Sequence, residues 1–273
     1  MNSKQQIFAV AWIVALAGMI CPVIATAAEP TVRAPENARP ALYLIGDSTV
    51  NNSTKGLQGW GTPIKEFFDA NRIRVENRAR GGRSSRTYLT EGLWDQVRGN
   101  LRSGDFVVMQ FGHNDGGPLG KPPNRASLKG TGDETQESVD PTTGKAETVH
   151  TYGWYLKKYV TDAKANGAVP IVLSPVPRNI WKEGKVARAS GDYGKWAAEV
   201  ARSEGVPFID LNELIAARYE ADGEQKVRGA YFTAADHTHT TPEGAKLSAE
   251  RVVEGIRDLK DCALKDYLMP RTP

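Results

Sequence analysis

The chain is poor in sulfur and in histidine: 273 residues hold two cysteines, four methionines and four histidines. Cys21 falls within an apolar N-terminal run and Cys262 stands far from it, so a disulfide framework is excluded and stability must come from packing. A hydrophobic content of 40% is ample for a buried core. Charge of one sign is lacking too, with 35 Lys and Arg against 32 Asp and Glu. That balance excludes the dense basic face expected of a nucleic-acid binder. After residue 28 no apolar run is long enough to span a bilayer, so no membrane partner is expected. Nothing in the sequence sets an oligomeric state.

What is present begins with a leader. Lys4 is the only charge before Glu29, and "IFAVAWIVALAGMICPVIA" runs into the small residues "ATAA". A basic start, an apolar middle and an A-x-A site predict a secretory signal peptide over 1–28, and a periplasmic or extracellular destination. Cleavage would remove Cys21 and leave a formal charge of +2, because the leader carries Lys4 and no acid (34 basic against 32 acidic residues). "EPTVRAPENARP" (29–40) reads as a Pro-rich linker, with one domain over 41–273.

From residue 41 the chain alternates. "ALYLI" (41–45), "IRVEN" (73–77), "DFVVMQF" (105–111), "VPIVLSP" (169–175) and "VPFIDL" (206–211) are short apolar runs. "PIKEFFDAN", "GWYLKKYVTDAKANG", "YGKWAAEVARSEG" and "TPEGAKLSAERVVEGIRDL" carry helical patterns between and after them. Continuous apolar strands separated by amphipathic helices predict an α/β fold, a three-layer α/β/α sandwich around a mainly parallel sheet of about five strands. Residues 115–149 break the rhythm, being rich in Gly, Pro and Thr without hydrophobic periodicity. A loop that long inside a compact domain is more often a binding loop than a linker.

In open parallel sheets, sites form at the carboxyl ends of strands. "GDST" follows the first strand, "RARGGRSSRTY" the second and "GHND" the third, while "DHTH" precedes the last helix. These four polar clusters fall on one edge. They provide a serine, an imidazole, a carboxylate and amide donors, the parts of a nucleophile-activating hydrolase. "DHTH" also admits a metal reading as a minor alternative, but no further ligand cluster of suitable spacing accompanies it. His113 and His150 read as a packing residue and a solvated one.

In this order the clusters resemble the blocks of the SGNH (GDSL-type) hydrolases over residues 41–260, with the flavodoxin-like fold of that family. The resemblance implies Ser48 as nucleophile, His239 as general base and Asp236 as the group that orients it, with His237 a bystander. It implies an oxyanion hole from the Ser48 and Gly82 backbone N–H groups and the Asn114 side chain, and neither metal nor other cofactor. A glycine allows close approach of backbone to substrate, and a neutral amide donates without titrating.

"ENRARGGRSSRTY", "QFGHNDGG" and "DHTHTTPEGA" look most like rhamnogalacturonan acetylesterases, which implies an acetylated pectin polysaccharide as substrate. Arg78, Arg80, Arg83 and Arg86 crowd the Gly82 turn; of these, Arg83 and Arg86 are the candidates for pairing with galacturonate carboxylates, with structural ion pairs as the alternative. Trp60, Trp154, Tyr155 and Trp181 are candidates for stacking on sugar rings or for the core. An esterase for xylan, a lipid esterase or thioesterase of the same fold, and a non-catalytic carbohydrate-binding protein are the rival readings. The last has little need of Ser48, Asn114, Asp236 and His239 together.

Overall fold

The computed structural model describes residues 39–188 and 191–270. The expected leader, and all of the expected linker but its last two residues, lie outside that range. β1 (Ala41–Gly46), β2 (Arg74–Asn77) and β3 (Phe106–Gln110) pair in parallel with β1 in the middle. A polar excursion follows, containing the antiparallel hairpin of β4 (Thr135–Val139) and β5 (Ala146–His150). β6 (Val169–Leu173) then adds to β3. A small hairpin, β7 (Trp181–Lys182) and β8 (Lys185–Val186), precedes β9 (Phe208–Ile209), which closes the sheet in the order β2-β1-β3-β6-β9. The last strands, β10 (Phe232–Thr233) and β11 (Asp236–Thr240), form a separate antiparallel hairpin.

Both faces of the sheet are covered, which is why its inner strands β1, β3 and β6 read as apolar runs. Leu42 and Leu44 of β1, Phe106 and Val108 of β3, and Ile171 and Leu173 of β6 point to one face. Tyr43, Ile45, Val107, Met109 and Val172 point to the other. Four helices pack on this second face: α1 (Ser85–Thr90), α2 (Leu93–Arg98), α3 (Tyr152–Ala165) and α4 (Tyr193–Glu204). The first face receives α5 (Leu211–Asp222) and, after the short α6 (Glu224–Lys226), α7 (Pro242–Asp258). Thr241 caps α7 by accepting from Gly244 N, with Pro242 at the first helical position, where a missing N–H is harmless. No helix among the described residues is long and apolar enough to cross a membrane.

The structure corrects several local expectations. "PIKEFFDAN" forms a single 3-10 turn, Pro63–Phe67, rather than an α-helix. The last sheet strand is two residues long, because Asp210 accepts from Glu213 N and starts α5 at once. Trp60 and Tyr155 are core residues, each 1% exposed, and Trp154 stacks on His150 at 3.8 Å between ring centroids. His150 is thus half-buried rather than solvated.

Arg86 is 1% exposed and does not face a cleft. Its guanidinium donates to Glu147 on β5 at 2.7 Å and to the Asn124 carbonyl, tying α1 to the excursion. Removing one partner of a buried pair strands the other charge. Arg86→Ala is expected to lower unfolding free energy by about 3 kcal/mol, read by urea denaturation, with Glu147→Gln adding little on top. Full additivity of the two substitutions would show that the pair does not couple.

Candidate active site

The serine cluster sits where β1 ends. A side-chain carbon on Gly46 would lie 2.5 Å from the Gln110 carbonyl oxygen and 2.6 Å from Val50 Cγ2, so this close approach of β1 to β3 requires glycine. The Asp47 carbonyl accepts from Val50 N and Asn51 N, turning the chain so that Ser48 stands on the bend. Beneath it runs a buried chain of donors. Trp60 Nε1 donates to Gln110 Oε1 at 2.8 Å, Gln110 Nε2 to Thr49 Oγ1 at 2.6 Å, and Thr49 Oγ1 to Asp47 Oδ1 at 2.7 Å. Burial alone would raise the Asp47 carboxyl, but the facing His113 ring and the Thr49 donors outweigh it and hold the group below the usual carboxylate range. His113 Nδ1 lies 3.4 Å from Asp47 Oδ2, and its Nε2 donates to the Val176 carbonyl at 3.0 Å. The packing role expected for His113 is what the structure shows.

The "DHTH" cluster begins β11, the second strand of the β10–β11 hairpin. Asp236 Oδ1 accepts from Thr238 N at 2.7 Å and His239 N at 2.9 Å, while Oδ2 lies 2.7 Å from His239 Nδ1. Partial burial pushes the Asp236 carboxyl up, and the backbone and imidazole donors outweigh that and keep it ionised below its ordinary range. With Nδ1 donating to the carboxylate, Nε2 is left as an acceptor, and it lies 2.8 Å from Ser48 Oγ across 191 residues of chain. Reciprocal backbone and side-chain bonds hold the two segments in register: Gln58 N donates to the Thr240 carbonyl at 2.9 Å and Thr240 Oγ1 to the Gln58 carbonyl at 2.8 Å. His237 is exposed and takes no part in this relay. Among the described residues no group of three or more His, Cys, Asp and Glu is arranged to hold a metal.

The remaining clusters converge on the same place. A side-chain carbon on Gly81 would stand 3.6 Å from Ser48 Cβ, and Gly82 follows with φ +77°, a left-handed conformation that suits glycine. The Ser48 and Gly82 N–H groups have no acceptor among the described residues. Asn114 Nδ2 donates to the Arg83 carbonyl at 3.0 Å, which fixes the amide and leaves its second N–H available. Ser48, Gly82, Asn114, Asp236 and His239 are thus brought together, whereas Arg83 donates to Glu91 at 2.8 Å and Arg86 is buried. The excursion contributes a residue that local pattern does not reveal: Arg125 Nη1 donates to the Gly82 carbonyl at 3.1 Å. The two residues stand 43 positions apart, so no local pattern links them.

A model of the GDSL-like lipase/acylhydrolase family matches residues 44–247. The chain belongs to this family. As a family member it is a carboxylic ester hydrolase. It is 35% identical over 222 residues to a rhamnogalacturonan acetylesterase from Emericella nidulans, covering 81% of this chain and 86% of that one. It is 33% identical to a probable rhamnogalacturonan acetylesterase, YesY, from Bacillus subtilis, covering 80% and 93%. Among solved structures, YxiM from Bacillus subtilis superposes with a TM-score of 0.63 at 23% identity, over 80% of this chain and 56% of that protein. That likeness is one of fold, and the chain spans just over half of that larger protein.

One buried acid in this GDSL-family site has a thermodynamic consequence. Asp115, 0% exposed, follows Asn114 and accepts from Ser85 N, Ser85 Oγ and Ser127 Oγ, clamping the "GHND" turn to α1 and the excursion. Burial, against those donors, raises its carboxyl from 3.8 to about 6. Folding therefore favours the protonated form, a contribution fully present below about pH 4 and lost as pH rises through about 6. Asp115→Asn keeps an acceptor oxygen and has no proton to lose. Its Tm relative to wild type should shift upward as pH is raised from about 4 to about 8, measured by calorimetry. A difference that stays flat across that range would contradict the raised pKa.

Proposed function

We propose that the protein is an exported serine esterase that removes O-acetyl groups from the rhamnogalacturonan backbone of pectin. The observation that carries the chemistry is the unbroken relay from Ser48 Oγ through His239 to Asp236, with hydrogen-bond lengths of 2.8 and 2.7 Å. His239 Nε2 takes the Ser48 proton as Oγ attacks the acetyl carbonyl, and Asp236 keeps the imidazole in the required tautomer. The oxyanion is received by Ser48 N–H, Gly82 N–H and the free Asn114 N–H, donors fixed before the reaction begins. His239 returns the proton to the departing sugar oxygen, leaving acetyl on Ser48. Water, deprotonated by the same imidazole, then releases acetate.

Support for the polymer comes from the two rhamnogalacturonan acetylesterase relatives, at 35% and 33% identity, and from the polar excursion beside Gly82. A lipid esterase would instead line this wall with apolar side chains. Support for export comes from the leader pattern of residues 1–28. The destination proposed is the periplasm or the medium.

Ser48→Ala is expected to lower kcat by about 10^4-fold or more with the fold intact, and chelator to leave wild-type activity unchanged. Acetate release should be measured over acetylated rhamnogalacturonan, acetylated xylan and short-chain lipid esters. Loss of activity in EDTA with rescue by Zn²⁺ would make "DHTH" a metal site. Faster turnover of xylan or of lipid esters would remove the pectin assignment and leave the serine chemistry standing.

A further inference from the structure

The charges around the Gly82 turn are mostly neutralised by neighbours. Arg78 pairs with Glu76 at 2.5 Å, Arg83 with Glu91 at 2.8 Å, and Arg86 with Glu147 at 2.7 Å. Arg125 differs. Its guanidinium is anchored on the Gly82 carbonyl at 3.1 Å, and no carboxylate of a described residue pairs with it. Arg80 also lacks an acid partner, but its side chain is exposed on the surface, where a free arginine needs no explanation. Arg125 is half-buried, held at one end and uncompensated.

Its position matters as much as its charge. A side-chain carbon placed on Gly82 would be 3.4 Å from Arg125 Nη1, and one placed on Gly81 would be 3.6 Å from Ser48 Cβ. The reactive serine and the guanidinium therefore lie against neighbouring residues of one turn, whose Cα atoms are about 3.8 Å apart. A sugar whose acetyl carbonyl reaches Ser48 must place its ring beside this turn. One N–H of Arg125 is used on Gly82, and a guanidinium carries five. Because the anchored fork has already lost much of its freedom, a carboxylate can engage it with little further ordering.

We propose that Arg125 is the specificity-determining residue that reads a uronate carboxylate of the substrate, at or next to the acetylated sugar, in place of the sequence-favoured Arg83 and Arg86. This rests on the pectin reading given above. The same contact also braces the Gly82 turn, so two effects of substitution are separable. Loss of the brace lowers kcat on every acetyl ester. Loss of carboxylate recognition raises KM on acidic substrate alone.

Wild type, Arg125→Gln and Arg125→Lys are to be compared on acetylated rhamnogalacturonan, on the same polymer with its uronate carboxyls reduced to alcohols, and on p-nitrophenyl acetate, each at low and high salt. Arg125→Gln should reduce kcat in similar proportion on all three. It should in addition raise KM on the acidic polymer about fivefold relative to the reduced one, and flatten the dependence of that KM on salt. Arg125→Lys, which keeps the charge but not the fork, should restore part of the preference, and melting temperatures confirm that each variant is folded. An acidic-to-reduced KM ratio identical in wild type and both variants would overturn the proposal and leave Arg125 a brace. A wild-type enzyme indifferent to reduction of the carboxyls would remove the pectin reading along with it, whereas a wild-type preference that survives in both variants removes only the assignment to Arg125.

Discussion

A strand that runs parallel to its neighbour can be reached only by a crossover, so a wholly parallel sheet delivers every strand's carboxyl end to the same edge. In this chain that constraint places the ends of β1, β2, β3 and β6 side by side. Ser48, the Gly81–Gly82 turn, the "GHND" turn and the 174–180 segment are what each strand carries past that edge. The hairpin bearing Asp236 and His239 is then sewn to the same edge through Gln58 and Thr240. Chemistry that needs groups from four separate segments is thereby assembled with few backbone segments needing individual adjustment.

The electrostatic design divides the acids into two kinds. Asp236 is partly solvated and receives three donors from one local turn, so it stays ionised beside an imidazole that must become positive in the reaction. Asp47 and Asp115 are 0% exposed, Asp47 receiving Thr49 on one oxygen and Asp115 receiving Ser85 and Ser127, and both sit under turns rather than at the reacting atoms. Their work is positional: each fixes the backbone that presents Ser48 or Asn114.

How much of this was legible in the sequence follows from the range over which each signal acts. The inner strands β1, β3 and β6 were legible because burial on both faces makes them continuous apolar runs, and α3, α4 and α7 because their apolar stripes recur at helical spacing. The β4–β5 hairpin was not: its strands are mostly exposed and spelled "TQESV" and "AETVH", with no buried face to impose alternation. α1 and α2, six residues each, are too short for periodicity to declare itself. The acid, base and nucleophile could be placed because each lies in a compact local pattern. For Arg86 the sequence leaves substrate pairing and a structural ion pair both open, because its partner Glu147 is 61 residues away, and it does not single out Arg125, whose contact with Gly82 is 43 residues distant. Side chains that act across an excursion leave no local periodicity to read.

The excursion between β3 and α3 is fastened at its base and open at its tip. Its base is secured by Asp115 with Ser127, Arg86 with Glu147, and Leu128 bridged to Thr151. The tip, a turn from Asp140 to Lys145, is closed by Asp140 N on the Lys145 carbonyl and is exposed to solvent. Insertions or deletions at that tip would leave the fastened base, and with it the reacting groups, where they are. A lineage carrying this architecture can therefore vary its reach along a polymer by editing a surface turn, while inheriting its hydrolytic machinery unaltered.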